Sequence, residues 1–265
     1  MLAFIIVCTF FLVILYVLYK LAFMKPLIKP LNSLPPSHLG NGIDPNSVMI
    51  FMVATPEISN YSVHSIEINR KYANMHGYRF EVIQDNLLKN ENMPINFTKV
   101  KAALEFTKDP TIKYIVHIDA DAVVINNKYP ITAIINSYMG WGSDIIMAED
   151  CYSRRICSKP GRINSGVFIV KNSKEGRSIL NKWLTSSLSG GSCHKYKNVF
   201  PNCQLTFFNC VIMSPLGRYV KIVPYNLLNG RDGLFIRHMM QHNTEERVEE
   251  FINVKRKNGD RVSLY

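Results

Sequence analysis

Beyond residue 47 the chain alternates short apolar runs with longer stretches whose apolar residues recur at helical spacing. "VMIFMVAT" (48–55) is a continuous apolar run ending at Pro56, the pattern of a buried strand. "SVHSIEINRKYANMHGY" (62–78) predicts a helix stopped by Gly77. "RFEVI" (79–83) predicts a second strand, "FTKVKAALEF" (97–106) a helix and "YIVHI" (114–118) a third strand. "DIIMAE" (144–149) and "SGVFIVK" (165–171) follow as strands, "SKEGRSILNKWLTSSL" (173–188) and "CQLTFFNCVIM" (203–213) as helices. "NTEERVEEFINVKRK" (243–257) reads as a final helix capped by Asn243, with acids in its first turn. Strands alternating with helices predict one α/β domain over 48–265 with a mostly parallel sheet. In such sheets ligands sit at the carboxyl ends of the strands.

The first 24 residues differ in kind. "MLAFIIVCTFFLVILYVLY" has no charged side chain before Lys20. As a helix it would reach about 28 Å, close to a bilayer core of about 30 Å, so the pattern predicts a transmembrane signal-anchor over 1–24. Residues 25–47 hold five prolines among Ser, Asn and Gly, which predicts an extended stalk. Lys20, Lys25 and Lys29 all follow the span, and by the positive-inside rule they would hold the domain in the cytoplasm.

Composition narrows the function classes. With 47% hydrophobic and 19% charged residues, the chain can bury a large core. Its net charge of +11 favours phosphorylated ligands or polyanions. The basic residues are scattered without a long Lys/Arg block, so nucleic acid is not expected as a partner. Of six cysteines, five follow the apolar span. At least one is therefore left free or pairs between chains; Cys151 with Cys157 and Cys193 with Cys203 are the spacings that could bridge. No CxxC pair argues for structural zinc. Asn60 and Asn96 head N-x-S/T sequons that matter only in a secretory lumen.

The chemistry concentrates in "IKYIVHIDADAVVIN" (112–126), where an apolar run carries Asp119 and Asp121. Two carboxylates at i and i+2 repel, and burying them is costly unless they are paired or bind a cation. They can cap a turn. They can also form the first motif of a haloacid-dehalogenase-type phosphohydrolase, which "IVHIDADAVV" matches locally. That motif, however, normally opens its domain, and no later acidic pair of Asp-Asp type follows here. Thirdly, they can hold Mn²⁺ or Mg²⁺ against the diphosphate of a sugar nucleotide.

The third reading carries an ordered set of motifs. "NRKYANMHGYRFEVI", "FTKVKAALEFTKDPTIKYIVHIDADAVVIN", "INSGVFIVKNS" and "FIRHMMQHNTEERVEEF" together resemble, in order, glycosyltransferase family 34, the galactosyl-, mannosyl- and xylosyltransferases. The resemblance implies a GT-A-like, Rossmann-like domain behind the transmembrane helix. Its substrates would be a UDP- or GDP-sugar donor and a glycan or glycoprotein acceptor, joined with retention of configuration. It makes Asp121, His238 and Asp119 metal ligands, Asp119 alternatively a ribose contact, with small Ala120 packing on the nucleotide. It places Asn164, Ser165 and Gly166 along the donor sugar or acceptor, and Gln204 near the reacting carbon. Lys99 and Arg247 would supply positive charge to phosphate, and Thr55 is a nucleotide contact by position. The family's acid before the glutamine is absent, since Asn202 and Cys203 precede Gln204. That departure leaves open a degenerate sugar-nucleotide- or glycan-binding protein. The family is usually luminal in the Golgi, a type II single-pass arrangement that conflicts with the lysines after the span.

Overall fold

The computed structural model describes residues 31–139, 142–150 and 163–259. Eight strands and seven α-helices occur among them. The strands are β1 (Val48–Val53), β2 (Arg79–Ile83), β3 (Tyr114–Ile118), β4 (Ala122–Val124), β5 (Ile145–Glu149), β6 (Ile163–Lys171), β7 (Val220–Val223) and β8 (Ile236–His238). The helices are α1 (Ser59–His76), α2 (Thr98–Phe106), α3 (Ile131–Met139), α4 (Lys174–Ser187), α5 (Asn202–Phe207), α6 (Tyr225–Leu228) and α7 (Thr244–Lys257).

Six strands form one sheet in the order β2-β1-β3-β6-β5-β7. Successive β1 residues point to opposite faces, and both faces are covered. Val48, Ile50 and Met52 pack with Tyr72, Ile131 and Ile134 on one side. Met49 and Phe51 pack with Phe97, Val100, Phe168 and Trp183 on the other. Burial on both faces explains why these strands read as unbroken apolar runs. Gly77 ends α1 at φ 73°, and its amide returns to the carbonyls of Ala73 and Asn74. Asn243 caps α7 in a reciprocal capping box with Glu246.

The sheet is mostly parallel, as expected, with one strand reversed. β6 runs antiparallel to both β3 and β5, while β1, β2 and β3 run together and β5 pairs parallel with β7. A strand buried on both faces looks the same in either direction, so direction was not written in the apolar pattern. The reversal brings the amino end of β6 beside the carboxyl end of β3, with Ile118 opposite Val167. A separate antiparallel pair, β4 with β8, sets Ala122 opposite His238.

Three expectations change. The single-pass membrane localisation is corrected: among the described residues no helix is long and apolar enough to cross a membrane. The longest, α1, carries Glu67, Arg70 and Lys71 along its length. The run over 1–24 that suggested a span lies outside the described residues. Of the stalk, the part from Leu31 onward lies against the domain. Leu31 exchanges two hydrogen bonds with the Asn226 side chain, at 3.1 and 2.8 Å, and Leu34 joins the core under α3. Cys193 bonds to Cys210 and not to Cys203, which is a buried free thiol; Cys151 and Cys157 lie outside the described residues.

Candidate active site

Asp119 and Asp121 occupy the turn between β3 and β4, at the carboxyl edge of the sheet. The turn is fixed by the backbone: the Asp119 amide donates to Gly166 O at 2.7 Å and the Ala122 amide to Asp119 O at 3.0 Å. The β4–β8 pairing then delivers His238 across more than a hundred residues of chain. One ligand atom from each of Asp119, Asp121 and His238 lies within 4.8 Å of the others.

The three side chains are oriented from behind. His238 Nδ1 sits 2.6 Å from Asn229 Oδ1. Asn229 Nδ2 donates to Glu149 O at 3.1 Å, so the amide must present its oxygen to the imidazole. Nδ1 therefore carries the proton, and the Nε2 lone pair faces Asp121 Oδ1 at 3.0 Å. Two acceptors at that distance need a proton or a cation between them. Burial disfavours charge on His238, but Asp121 more than offsets it and raises its pKa. Two carboxylates and one imidazole held by an outer amide are a donor set suited to Mn²⁺ or Mg²⁺, so the residues fit the expected ion.

Asp119 is held by two buried cation or N–H donors. Lys99 Nζ lies 3.0 and 3.3 Å from its two oxygens, and His117 Nε2 donates to Oδ1 at 2.8 Å. Burial works against the Asp119 charge. Lys99, followed by His117, reverses the balance and holds the carboxyl well below the usual range. Lys99 is only 4% exposed, so its charge is engaged with Asp119 and is not a free surface group. Burial likewise opposes charge on Lys99, and the Asp119 carboxylate raises its pKa nonetheless. On the other aspartate, Arg247 Nη2 reaches Asp121 Oδ2 at 3.2 Å while its guanidinium stacks 4.7 Å above the Tyr61 ring. Asp121 is also lowered, with burial opposing and His238 favouring the charged form.

The sharpest steric constraint is at Gly166. A Cβ there would collide with His238 Cε1 and lie 2.8 Å from Asp119 Oδ2. Asn164 accepts from the Gly166 amide at 2.7 Å and donates to Met240 Sδ at 3.0 Å, so it braces this turn as well as facing the site. Ser165 is buried beside it.

Two cavities meet at the carboxylates. One, of about 230 Å³, is lined by Thr55, Tyr61, Ile95 and Ala120. The other, of about 270 Å³, is lined by Asn164, Ser165, Phe200, Gln204, His238 and Met240. Lys99, Asp119 and Asp121 border both. Every residue expected from the sequence therefore lies in this cleft or braces it. His117, Asn229, Tyr61, Asp150 and Phe200 were not anticipated. His117 could have been found, because a strand places i and i+2 on one face; Asn229 gives no local signal.

Residues 44–139 match the profile of the galactosyl transferase GMA12/MNN10 family. No curated protein matches the chain by sequence. Among solved structures, the fold resembles a glycosyltransferase involved in the glycosylation of the major capsid of PBCV-1. That likeness has a TM-score of 0.60 at 20% identity, over 78% of this chain and 98% of the other. The galactosyltransferase LgtC, solved with donor and acceptor sugar analogs, aligns at TM-score 0.49 and 13% identity, over 79% and 95% of the two chains. GlyE of Streptococcus pneumoniae aligns at 0.47 and 13%, over 82% and 64%. The chain has a GT-A-like, Rossmann-like α/β fold, and its residues 44–139 are similar to the galactosyl transferase GMA12/MNN10 family.

Proposed function

We propose that the protein moves a hexose or pentose from a UDP- or GDP-sugar to a glycan acceptor, with Mn²⁺ or Mg²⁺ held by Asp119, Asp121 and His238. The observation that carries this reading is the meeting of the three ligand atoms, within 4.8 Å, at the junction of two cavities. A divalent cation bound there supplies positive charge against the departing diphosphate.

The chain's own residues do the positioning. Thr55, Tyr61 and Ala120 shape the chamber for the nucleoside. Lys99 and His117 fix the Asp119 carboxylate, and Arg247 adds positive charge beside Asp121. Asn164, Ser165 and Gly166 form the wall against the sugar, and Gln204 faces the reacting carbon. The acceptor hydroxyl attacks on the face from which the diphosphate leaves, and its proton passes to the departing oxygen, so configuration is retained. Such a site works through placement and charge and not through a strong base. The phosphohydrolase reading finds less support, because both oxygens of Asp119 are within reach of Lys99 and one also accepts from His117.

The test is a screen of UDP- and GDP-sugars with Mn²⁺, in wild type and Asp121→Ala. One donor should be turned over, with loss of turnover in the variant and in chelator while the circular dichroism is unchanged. Binding of donor without turnover would indicate a degenerate protein, and full activity in Asp121→Ala would remove the metal site.

A further inference from the structure

Phe200 is 83% exposed on the lip of the larger cavity. Single exposed apolar side chains are ordinary, but the surroundings of this one are not those of a loose loop. Asn202 Nδ2 donates to Lys197 O at 2.6 Å, the Cys203 amide donates to Asn202 Oδ1 at 2.8 Å, and Trp183 Nε1 donates to Cys203 O at 3.2 Å. Asn96 also bonds Asn202 across the cleft. The Cys193–Cys210 disulfide closes the segment on itself. A backbone this tightly held keeps a large apolar ring in water at the mouth of a cavity that runs down to Asp119 and Asp121.

The two chambers differ in what they can hold. The smaller has Thr55, Tyr61, Ile95 and Ala120. The lip of the larger offers Phe200, Pro201 and Met240 as apolar surface and the neutral amides of Gln204 and Gln241. An uncharged ligand with one apolar face and a rim of hydroxyls fits that lip, and a sugar ring is such a ligand. Its C–H bonds, polarised by neighbouring oxygens, match the negative face of an aromatic ring.

We propose that Phe200 is the platform on which the acceptor saccharide stacks, its reacting hydroxyl turned inward past Gln204. This rests on the reading of the protein as a sugar transferase. It assigns the two chambers: nucleoside over Thr55 and Tyr61, acceptor over Phe200. Rigid aromatic rings suit this role because little conformational freedom is lost on contact.

The experiment follows metal-dependent donor hydrolysis and transfer to methyl glycosides of glucose, galactose, mannose and xylose, each separately, in wild type, Phe200→Ala, Phe200→Leu and Phe200→Trp. In Phe200→Ala the acceptor KM should rise about tenfold, and the ratio of transfer to hydrolysis should fall by a similar factor. Phe200→Trp should restore both; Phe200→Leu should not. An unchanged acceptor KM in Phe200→Ala, or wild-type behaviour in Phe200→Leu, overturns the proposal. So does a parallel loss of hydrolysis and transfer, or a wild type that hydrolyses donor yet glycosylates none of the four. A wild type that hydrolyses no donor overturns instead the reading on which the proposal rests.

Discussion

His117 lies near the end of β3 and Asp119 two residues on, just past the strand, and the imidazole Nε2 donates to the carboxylate at 2.8 Å. The ring is completely buried between Phe51 and Phe168, with centroids 4.9 and 5.0 Å away. Its other nitrogen, Nδ1, has no hydrogen-bond partner. A buried orphan nitrogen costs stability, and burial lowers the His117 pKa to about 4, so the ring is neutral at pH 7. What that arrangement provides is a fixed direction for one Asp119 oxygen.

His117→Phe should therefore separate packing from orientation. The aromatic box stays filled, and the orphan nitrogen is removed. Thermal melting should be little changed, whereas Mn²⁺-dependent donor turnover should fall about 10- to 100-fold, as for other residues that orient a metal ligand. Melting curves and donor hydrolysis on the same preparation check both halves.

Gly166→Ala adds one methyl group where His238 Cε1 and Asp119 Oδ2 already lie. The expected cost is about 1–3 kcal/mol of stability from overpacking. Displacement of two candidate ligands should also reduce turnover by about 100-fold. Denaturant unfolding and donor turnover measure these; a fully active, fully stable variant would show that the turn can yield.

Burial pushes the Cys203 thiol up to about 12, with nearby Lys99 opposing the shift. Raised pKa means the reactive thiolate is scarce at pH 8. Site-resolved mass spectrometry after iodoacetamide treatment should find Cys203 unlabelled in the folded protein and labelled after denaturation. Rapid labelling of the native protein would contradict the buried placement over Lys99.

The amino-acid sequence by itself determined the succession of strands and helices that carry the first half of the domain and its last helix, because their periodicity, the Gly77 stop and the Asn243 cap are local. It also pointed to the candidate site: two aspartates ending an apolar strand are costly to bury unless paired or bound to a cation, and the later histidine and Asn-Ser-Gly segment resembled a family pattern. Several elements had weaker local signals. The strands β4, β7 and β8 are three or four residues long and acquire their identity from what they pair with, and α3 is one short helix of nine residues. Tertiary structure alone decided that β6 runs backwards, which puts Gly166 against Asp119, and that β4 pairs with β8, which brings His238 to Asp121. It also decided which cysteine Cys193 joins, and set Lys99 as a buried partner of Asp119. Each of these depends on contacts between residues far apart in the chain, and such contacts leave no periodicity to read.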